Sequence, residues 1–259
     1  MAKMSPPPQH SLGPVLIVTG ASRGIGAATA KLAGQCGYSV CVNYVSHEEQ
    51  AQAVVAEVVG AGGRAIAVQA DIGNETDVMR LFATTERELG PIHGLVNNAS
   101  ITGGVATIST FTAQQVHETF RIDVLGTMLC MREAVRRMAC SAGGRGGVIV
   151  NVSSTAARTG GAFEWVHYAA LKASINTLTK GASLELATEK IRVNAVAPGL
   201  ILTDLHIDNG MPDRPKRLCP TVPMRCIGTP EEVAHAILWL LSEEASYVTG
   251  SVLEVSGGR

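Results

Sequence analysis

The apolar positions of this 259-residue chain fall into two alternating rhythms. Short β-branched runs recur at VLIVT from 15, YSVCVNY from 38, AIAVQA from 65 and HGLVNNA from 93. Three more follow: GGVIVNVSS from 146, IRVNAVAP from 191 and GSVLEVS from 250. Most lack a clean in/out alternation, the pattern of strands buried on both faces. Between them, apolar residues at helical spacing predict helices over 24–36, 47–60, 75–89, 112–140, 165–188 and 230–242. Two helix starts carry cap signatures: Asn74 before Glu75 and Asp77, and Thr229 before Pro230, Glu231 and Glu232.

Strand–helix alternation over the whole length predicts an α/β chain, a parallel sheet with helices on both faces. No linker, composition shift or internal repeat divides it, so residues 14–259 are expected to form a single domain. The preceding MAKMSPPPQHSLG has a Pro run and no apolar h-region; a flexible tail is expected there, not a secretory signal. One segment breaks the rhythm. DLHIDNGMPDRPKRLCPTVPMRCIG, residues 204–228, carries four Pro and follows a strand, which makes it a candidate lid over a site at the strands' C-terminal ends.

Hydrophobic residues make up 46% of the chain, aromatics only 4%, and there are 28 Gly, so the expected core is one of small aliphatic side chains. A formal net charge of −1 gives no general electrostatic hold on nucleic acid or an anionic membrane, and neither is expected as a partner. No apolar run approaches the roughly 20 residues of a membrane span. The six Cys, at 36, 41, 130, 140, 219 and 226, form no Cys-x-x-Cys pair, and the His residues are dispersed. No metal site is expected, and the thiols read as reduced structural side chains of a cytoplasmic protein.

Two stretches carry chemistry. TGASRGIG, residues 19–26, joins the first strand to the first helix. Glycines there let the backbone approach a pyrophosphate, while the helix N-terminus offers free N–H groups and a positive dipole end. The same residues match the G-x-S-x-G elbow of serine hydrolases, with Ser22 as nucleophile. That elbow needs an oxyanion donor from a loop after an earlier strand, and only the Pro-rich segment precedes this one, so hydrolysis is a remote alternative. The second stretch is VHYAALKAS. Tyr168 and Lys172, four apart on a helix, share a face. At an effective dielectric of ~20 such a pair interacts by about 4 kcal/mol. This is roughly three pKa units, enough to bring a Tyr from ~10 towards neutrality and make it a general acid or base. The competing reading is a packing tyrosine beside a solvated lysine.

TGASRGIG at 19–26, NNAS at 97–100, NVSS at 151–154, YAALK at 168–172 and APG at 197–199 carry a family resemblance. In order and near-spacing they resemble the classical short-chain dehydrogenases/reductases over residues 15–257, most closely the ketoacyl-reductase and glucose-dehydrogenase-like branch. The resemblance implies a single doubly wound Rossmann domain with a seven-stranded sheet of order 3-2-1-4-5-6-7. It implies a catalytic Ser154, Tyr168 and Lys172 interconverting a carbonyl and a secondary alcohol with a nicotinamide cofactor. Ser153 is the competitor of Ser154, expected to cap or pack. The implied cofactor contacts are Gly20, Ser22, Arg23, Gly24, Ile25 and Gly26 in the turn, Asn43 after the second strand, and Asp71 and Ile72 after the third. Asn97 and Ala99 at the fourth, Pro198, Gly199, Ile201 and Thr203 after the sixth, and Tyr168 and Lys172 themselves complete the set.

NAD-preferring enzymes place an acid after the second strand, where this chain has Asn43 and Tyr44. With Arg23 available to pair a 2′-phosphate, NADP is expected over NAD. Relatives often carry a second basic residue where Val45 stands; Ser46 and His47 are its possible substitutes. Two further positions depart from the family pattern. Ser100 replaces the Gly of Asn-Asn-Ala-Gly, and Asp123 replaces an Asn assigned to a water relay behind the Lys. An anion at 123 is expected to keep Lys172 protonated while partly cancelling its pull on Tyr168. Phe163, Trp165, His206 and Met211 are candidate pocket residues for a moderately apolar substrate. The family implies a homotetramer or homodimer through the helices at 112–140 and 165–188. A nucleotide-binding sensor on the same fold is the second function class.

Overall fold

The computed structural model describes residues 13–259; positions 1–12 of the expected tail lie outside the described residues. Seven strands form one sheet: β1 (Val15–Val18), β2 (Ser39–Tyr44), β3 (Arg64–Gln69), β4 (Ile92–Asn97), β5 (Gly147–Val152), β6 (Ile191–Pro198) and β7 (Val252–Val255). Their order is β3-β2-β1-β4-β5-β6-β7, and every neighbouring pair is parallel. The central strands so placed are covered on both faces, which is why their sequence shows no polar alternation. Leu16 and Val18 enter one apolar cluster, with Ala30, Val54 and Ile237, while Ile17 enters the other, with Phe82, Leu129 and Met138. Successive Cβ atoms of β1 thus feed opposite layers.

Helices α1 (Gly24–Gln35) and α2 (Glu48–Gly60) lie on the first of these faces, α3 (Glu75–Leu89) on the second. The helix expected over 112–140 is interrupted. It comprises α4 (Ala113–Phe120), a π-helical turn (Arg121–Gly126) and α5 (Thr127–Met138). A Cβ at Gly126 would come 2.8 Å from Ile72 Cγ1, so glycine lets this turn press on the residues after β3. π-turns recur at functional sites, and this one carries Asp123. The remaining helices are α6 (Ala156–Thr159), α7 (Val166–Leu186), α8 (Leu205–Asp208), α9 (Arg214–Leu218) and α10 (Pro230–Leu241). The foreseen caps form. Asn74 accepts from Asp77 N at 3.2 Å, and Thr229 builds a full capping box with Glu232.

The order of strands reverses between β1 and β4, and there the loops part to open a crevice at the C-terminal ends. The expected lid is ordered chain carrying α8 and α9. Among the described residues no helix is long and apolar enough to cross a membrane. All six Cys are free, and burial pushes the Cys41 thiol up to about 12.

Candidate active site

The crevice is a cleft of about 860 Å³, within the size range of small-molecule sites. Its floor begins with the glycine-rich turn. Gly20 has φ +60°, and a Cβ there would meet Ala99 Cα at 2.8 Å, so the turn closes against the end of β4. The Thr19 hydroxyl accepts from the backbone N–H of Asn98 and Ala99, and Asn98 Nδ2 donates back to the carbonyls of Thr19 and Gly20. Sequence reasoning missed Asn98, because its partners lie 78 and 79 positions away. Helix α1 starts at Gly24 with no side chain capping its first N–H groups, and Ser22, Gly24 and Ile25 face the cleft. An uncapped helix start opening into a cleft fits the pyrophosphate of a dinucleotide.

Not every implied contact reaches that cleft. Gly20, Ser22, Arg23, Gly24, Ile25, Asp71 and Ala99 line it, as do Ser154, Tyr168, Lys172, Pro198, Gly199, Ile201 and Thr203. Gly26, Asn43, Ile72, Asn97 and Asp123 lie behind this surface. Asn43 is buried: its Oδ1 accepts from Gly20 N at 3.1 Å, and its Nδ2 donates to the carbonyls of Val68 and Ala70. It ties β2 and β3 to the turn. Asn97 Nδ2 donates to Asn151 Oδ1 at 2.9 Å, and Asn151 donates to Thr179, so this pair clasps β4, β5 and α7. Gly26 sits under the turn, where a Cβ would come 2.5 Å from Gly20 O.

Asp71 lines the cleft beyond the turn, with Tyr44, Val45, Ser46 and His47 also on its wall. Asp71 is already engaged, accepting from Arg121 at 2.8 Å and from Gly73 N at 2.8 Å. Arg23 is engaged too. Its guanidinium donates to Asp208 at 2.5 Å and lies 3.8 Å from Asp204, both in the 204–228 segment. The 204–228 segment is also fastened at its middle. Arg214 and Arg217 each reach Glu164 at 2.7 Å, and Arg214 stacks 4.2 Å over the Trp165 ring. Trp165 in turn stacks on His206, and Asn209 is hydrogen-bonded to the Thr102 hydroxyl. Of the candidate pocket residues, Trp165 and His206 line the cleft; Met211 does not, and Phe163 is 85% exposed.

At the closed end of the cleft, α7 presents Tyr168 and Lys172, both buried. Lys172 Nζ lies 5.5 Å from the Tyr168 ring centre, donates to Val152 O at 3.0 Å, and sits 3.2 Å from Asp123 Oδ2. Ser154 faces the cleft and accepts from Ala156 N, whereas the Ser153 hydroxyl donates inward to Lys172 O at 3.1 Å. Asp123 also accepts from the Ser100 hydroxyl at 2.5 Å and from Ile101 N at 2.9 Å. The two departures from the family pattern are therefore bonded to each other.

Burial pushes the Tyr168 phenol above its ordinary value, outweighing the downward pull of Lys172, and Asp123 adds to the rise. This corrects the expectation from helix spacing alone, which took no account of desolvation. For Lys172 burial works downward, but the Asp123 carboxylate and Tyr168 outweigh it and hold the ammonium above its usual range. Among the described residues no group of three or more potential metal ligands comes together, and no His is hydrogen-bonded to Ser22.

A doubly wound sheet, a glycine-rich turn at its switch point and a Ser, Tyr and Lys around one cleft define the class: Rossmann-fold oxidoreductases. The family model described as enoyl-(acyl carrier protein) reductase matches residues 20–259. The chain is 48% identical to the uncharacterized oxidoreductase YgfF of Escherichia coli, over 95% of this chain and 99% of that one. It is 35% identical to glucose 1-dehydrogenase 2 of Bacillus subtilis, covering 95% and 94%. With a 3-oxoacyl-[acyl-carrier-protein] reductase of Synechocystis it shares 38%, covering 94% and 96%. A solved short-chain dehydrogenase/reductase of Serratia marcescens, a double mutant, superposes with a TM-score of 0.87 at 29% identity, covering 96% and 99%. The chain belongs to the short-chain dehydrogenase/reductase family of oxidoreductases.

Proposed function

We propose that the protein is an NAD(P)-dependent oxidoreductase that interconverts a carbonyl and a secondary alcohol through Ser154, Tyr168 and Lys172. The observation that carries this reading is one continuous cleft joining the uncapped start of α1 to the buried Tyr168–Lys172 face of α7. A nicotinamide dinucleotide bound there supplies or accepts hydride at the substrate carbon. Ser154 donates a hydrogen bond to the substrate oxygen as charge develops on it. Tyr168, protonated over the physiological range, gives that oxygen its proton in reduction and removes it in oxidation. Lys172, locked between Val152 O and Asp123, supplies the positive charge that favours phenolate as the proton leaves.

NADP is the proposed preference. No carboxylate stands at Asn43 or Tyr44 to repel a 2′-phosphate, and Arg23 is within the turn to receive it. Assembly into a homodimer or homotetramer in the cytoplasm belongs to the same reading. It is supported by exposed Phe120, Leu125 and Met128 along the 112–140 segment and Leu184 on α7. A panel of ketones, sugars and secondary alcohols with both cofactors, followed by nicotinamide absorbance, tests the proposal. Turnover dependent on Ser154 and Tyr168 supports it; tight dinucleotide binding without turnover on any member would favour a sensor.

A further inference from the structure

The 204–228 segment ends in a loop that folds back on itself between two cysteines, Cys219 and Cys226. Val222 N donates to Cys219 O at 3.1 Å and Arg225 N donates to Val222 O at 2.9 Å, so one tight turn follows another. The Arg225 guanidinium closes the same loop by donating to Pro220 O. Arg225 itself has φ +56°, a conformation that residues other than glycine seldom take, and the chain doubles back there. These contacts bring the Cys219 thiol onto Arg225 O, to which it donates at 3.4 Å. That carbonyl belongs to the peptide bond leading into Cys226. Across a trans peptide such an oxygen lies about 3 Å from the next Cα, so Cys219 Sγ is within about 6.5 Å of Cys226 Cα. This is near the approach a disulfide needs.

We propose that Cys219 and Cys226 are a redox modification site, converted by peroxide into a disulfide that closes this loop and reopened by thiols. Cys226 is exposed and Cys219 partly so, which opens both to a small oxidant. The Cys226 thiolate attacks the O–O bond of hydrogen peroxide, takes one oxygen as sulfenic acid and releases hydroxide. The Cys219 thiolate then attacks that sulfur, forming S–S and expelling a second hydroxide. In sum, two thiols and one peroxide give one disulfide and two waters, and the two electrons lost by sulfur reduce the peroxide. The other cysteines are placed differently. Cys41 and Cys130 are buried, while Cys36 and Cys140 precede β2 and β5, at the opposite end of the sheet from the cleft. An exposed disulfide across a short loop is of the labile kind, open in a reducing compartment until oxidant arrives.

The loop adjoins the cleft on two sides. Helix α9, just before Cys219, carries Arg214 and Arg217 to Glu164 on the cleft wall. Met224 N donates to Gly257 O at 3.1 Å, and a Cβ at Gly257 would come 2.8 Å from the buried Val222; Arg259, shortly beyond, lines the cleft. The inference goes beyond the proposed reaction and does not rest on it.

The experiment treats the reduced full chain with a small molar excess of hydrogen peroxide, alkylates it in denaturant and digests it with trypsin. Cleavage after Arg217 and Arg225 yields peptides 218–225 and 226–259, each holding one of the two cysteines. The expected product is these two peptides joined, lighter than the reduced pair by two hydrogen atoms and separated by dithiothreitol. The oxidised chain is expected to stay monomeric in size on a denaturing, non-reducing gel. Joining is expected to vanish in Cys219→Ser and Cys226→Ser and to persist in Cys140→Ser; the natural protein alone decides if a variant does not fold. Both peptides recovered alkylated, sulfinic acid at Cys226, or Cys226 linked to Cys140 or to a second chain would each overturn the proposal.

Discussion

Arg23 of the glycine-rich turn donates to Asp208 of helix α8 at 2.5 Å, joining residues 185 positions apart. The guanidinium proposed to receive a 2′-phosphate thus also fastens α8, and the two anions compete for it. Exposed pairs of this kind contribute about 0.2–1 kcal/mol. Asp208→Asn is therefore expected to tighten NADPH binding by up to about fivefold and to leave NADH binding unchanged. Fluorescence titration with both cofactors checks this. Equal effects on the two would show that Arg23 does not read the phosphate.

Adjacent serines after β5 both line the cleft, but the Ser153 hydroxyl is bonded inward to Lys172 O. Ser154→Ala removes a donor from the cleft and is expected to lower kcat/KM by about 10²-fold or more. Ser153→Ala removes the bond to Lys172 O instead, costing about 1 kcal/mol of stability with much smaller kinetic loss. Steady-state kinetics beside thermal melts separates them; equal kinetic losses would overturn the assignment.

Asn43 is a tie within the sheet. Asn43→Ala leaves Gly20 N and the carbonyls of Val68 and Ala70 without this partner, at a cost of about 1–3 kcal/mol. A lowered Tm and weaker dinucleotide binding are expected together. An unchanged Tm with weakened binding would instead make Asn43 a direct contact.

Glu133 on α5 is buried between Arg136 and Arg137, bonded at 2.7 and 2.6 Å. Burial alone would raise its carboxyl, but the two guanidiniums outweigh that and hold it below the ordinary value. A carboxyl lowered in the folded state contributes stability that is present above its unfolded value of about 4.3 and lost as pH falls through the folded value. Glu133→Gln is expected to lower stability at pH 7 and to flatten its decline on acidification. Denaturant melts from pH 7 to about 3 test this; parallel declines in the two proteins would contradict it.

Local pattern and global fold agree in this chain, and that agreement is why the strand order and the Tyr–Lys face could be read before the structure. β-branched runs buried on both sides, two capped helix starts and the four-residue spacing in α7 are all properties of neighbouring residues. Other features belong to no single segment. Asn43 and Asn97 sit at the strand ends where ligand contacts were expected, but their side chains turn inward to partners on other strands. Arg23 and Asp71 were read as free groups because Asp208 and Arg121 are remote in sequence. Ser100 and Asp123 looked like separate departures, and only the packing of the π-helical turn on the loop after β4 joins them. The tyrosine's ionisation was misjudged for a related reason: spacing reveals the nearby lysine but not the burial around both.

Replacement of Tyr168 by Phe, assayed with a ketone the natural protein reduces and with NADPH, tests the central claim most directly. The phenylalanine keeps the ring and removes the proton, so kcat is expected to fall by about 10²–10⁴-fold with NADPH affinity nearly unchanged. A variant that reduces the ketone at the natural rate would contradict the account.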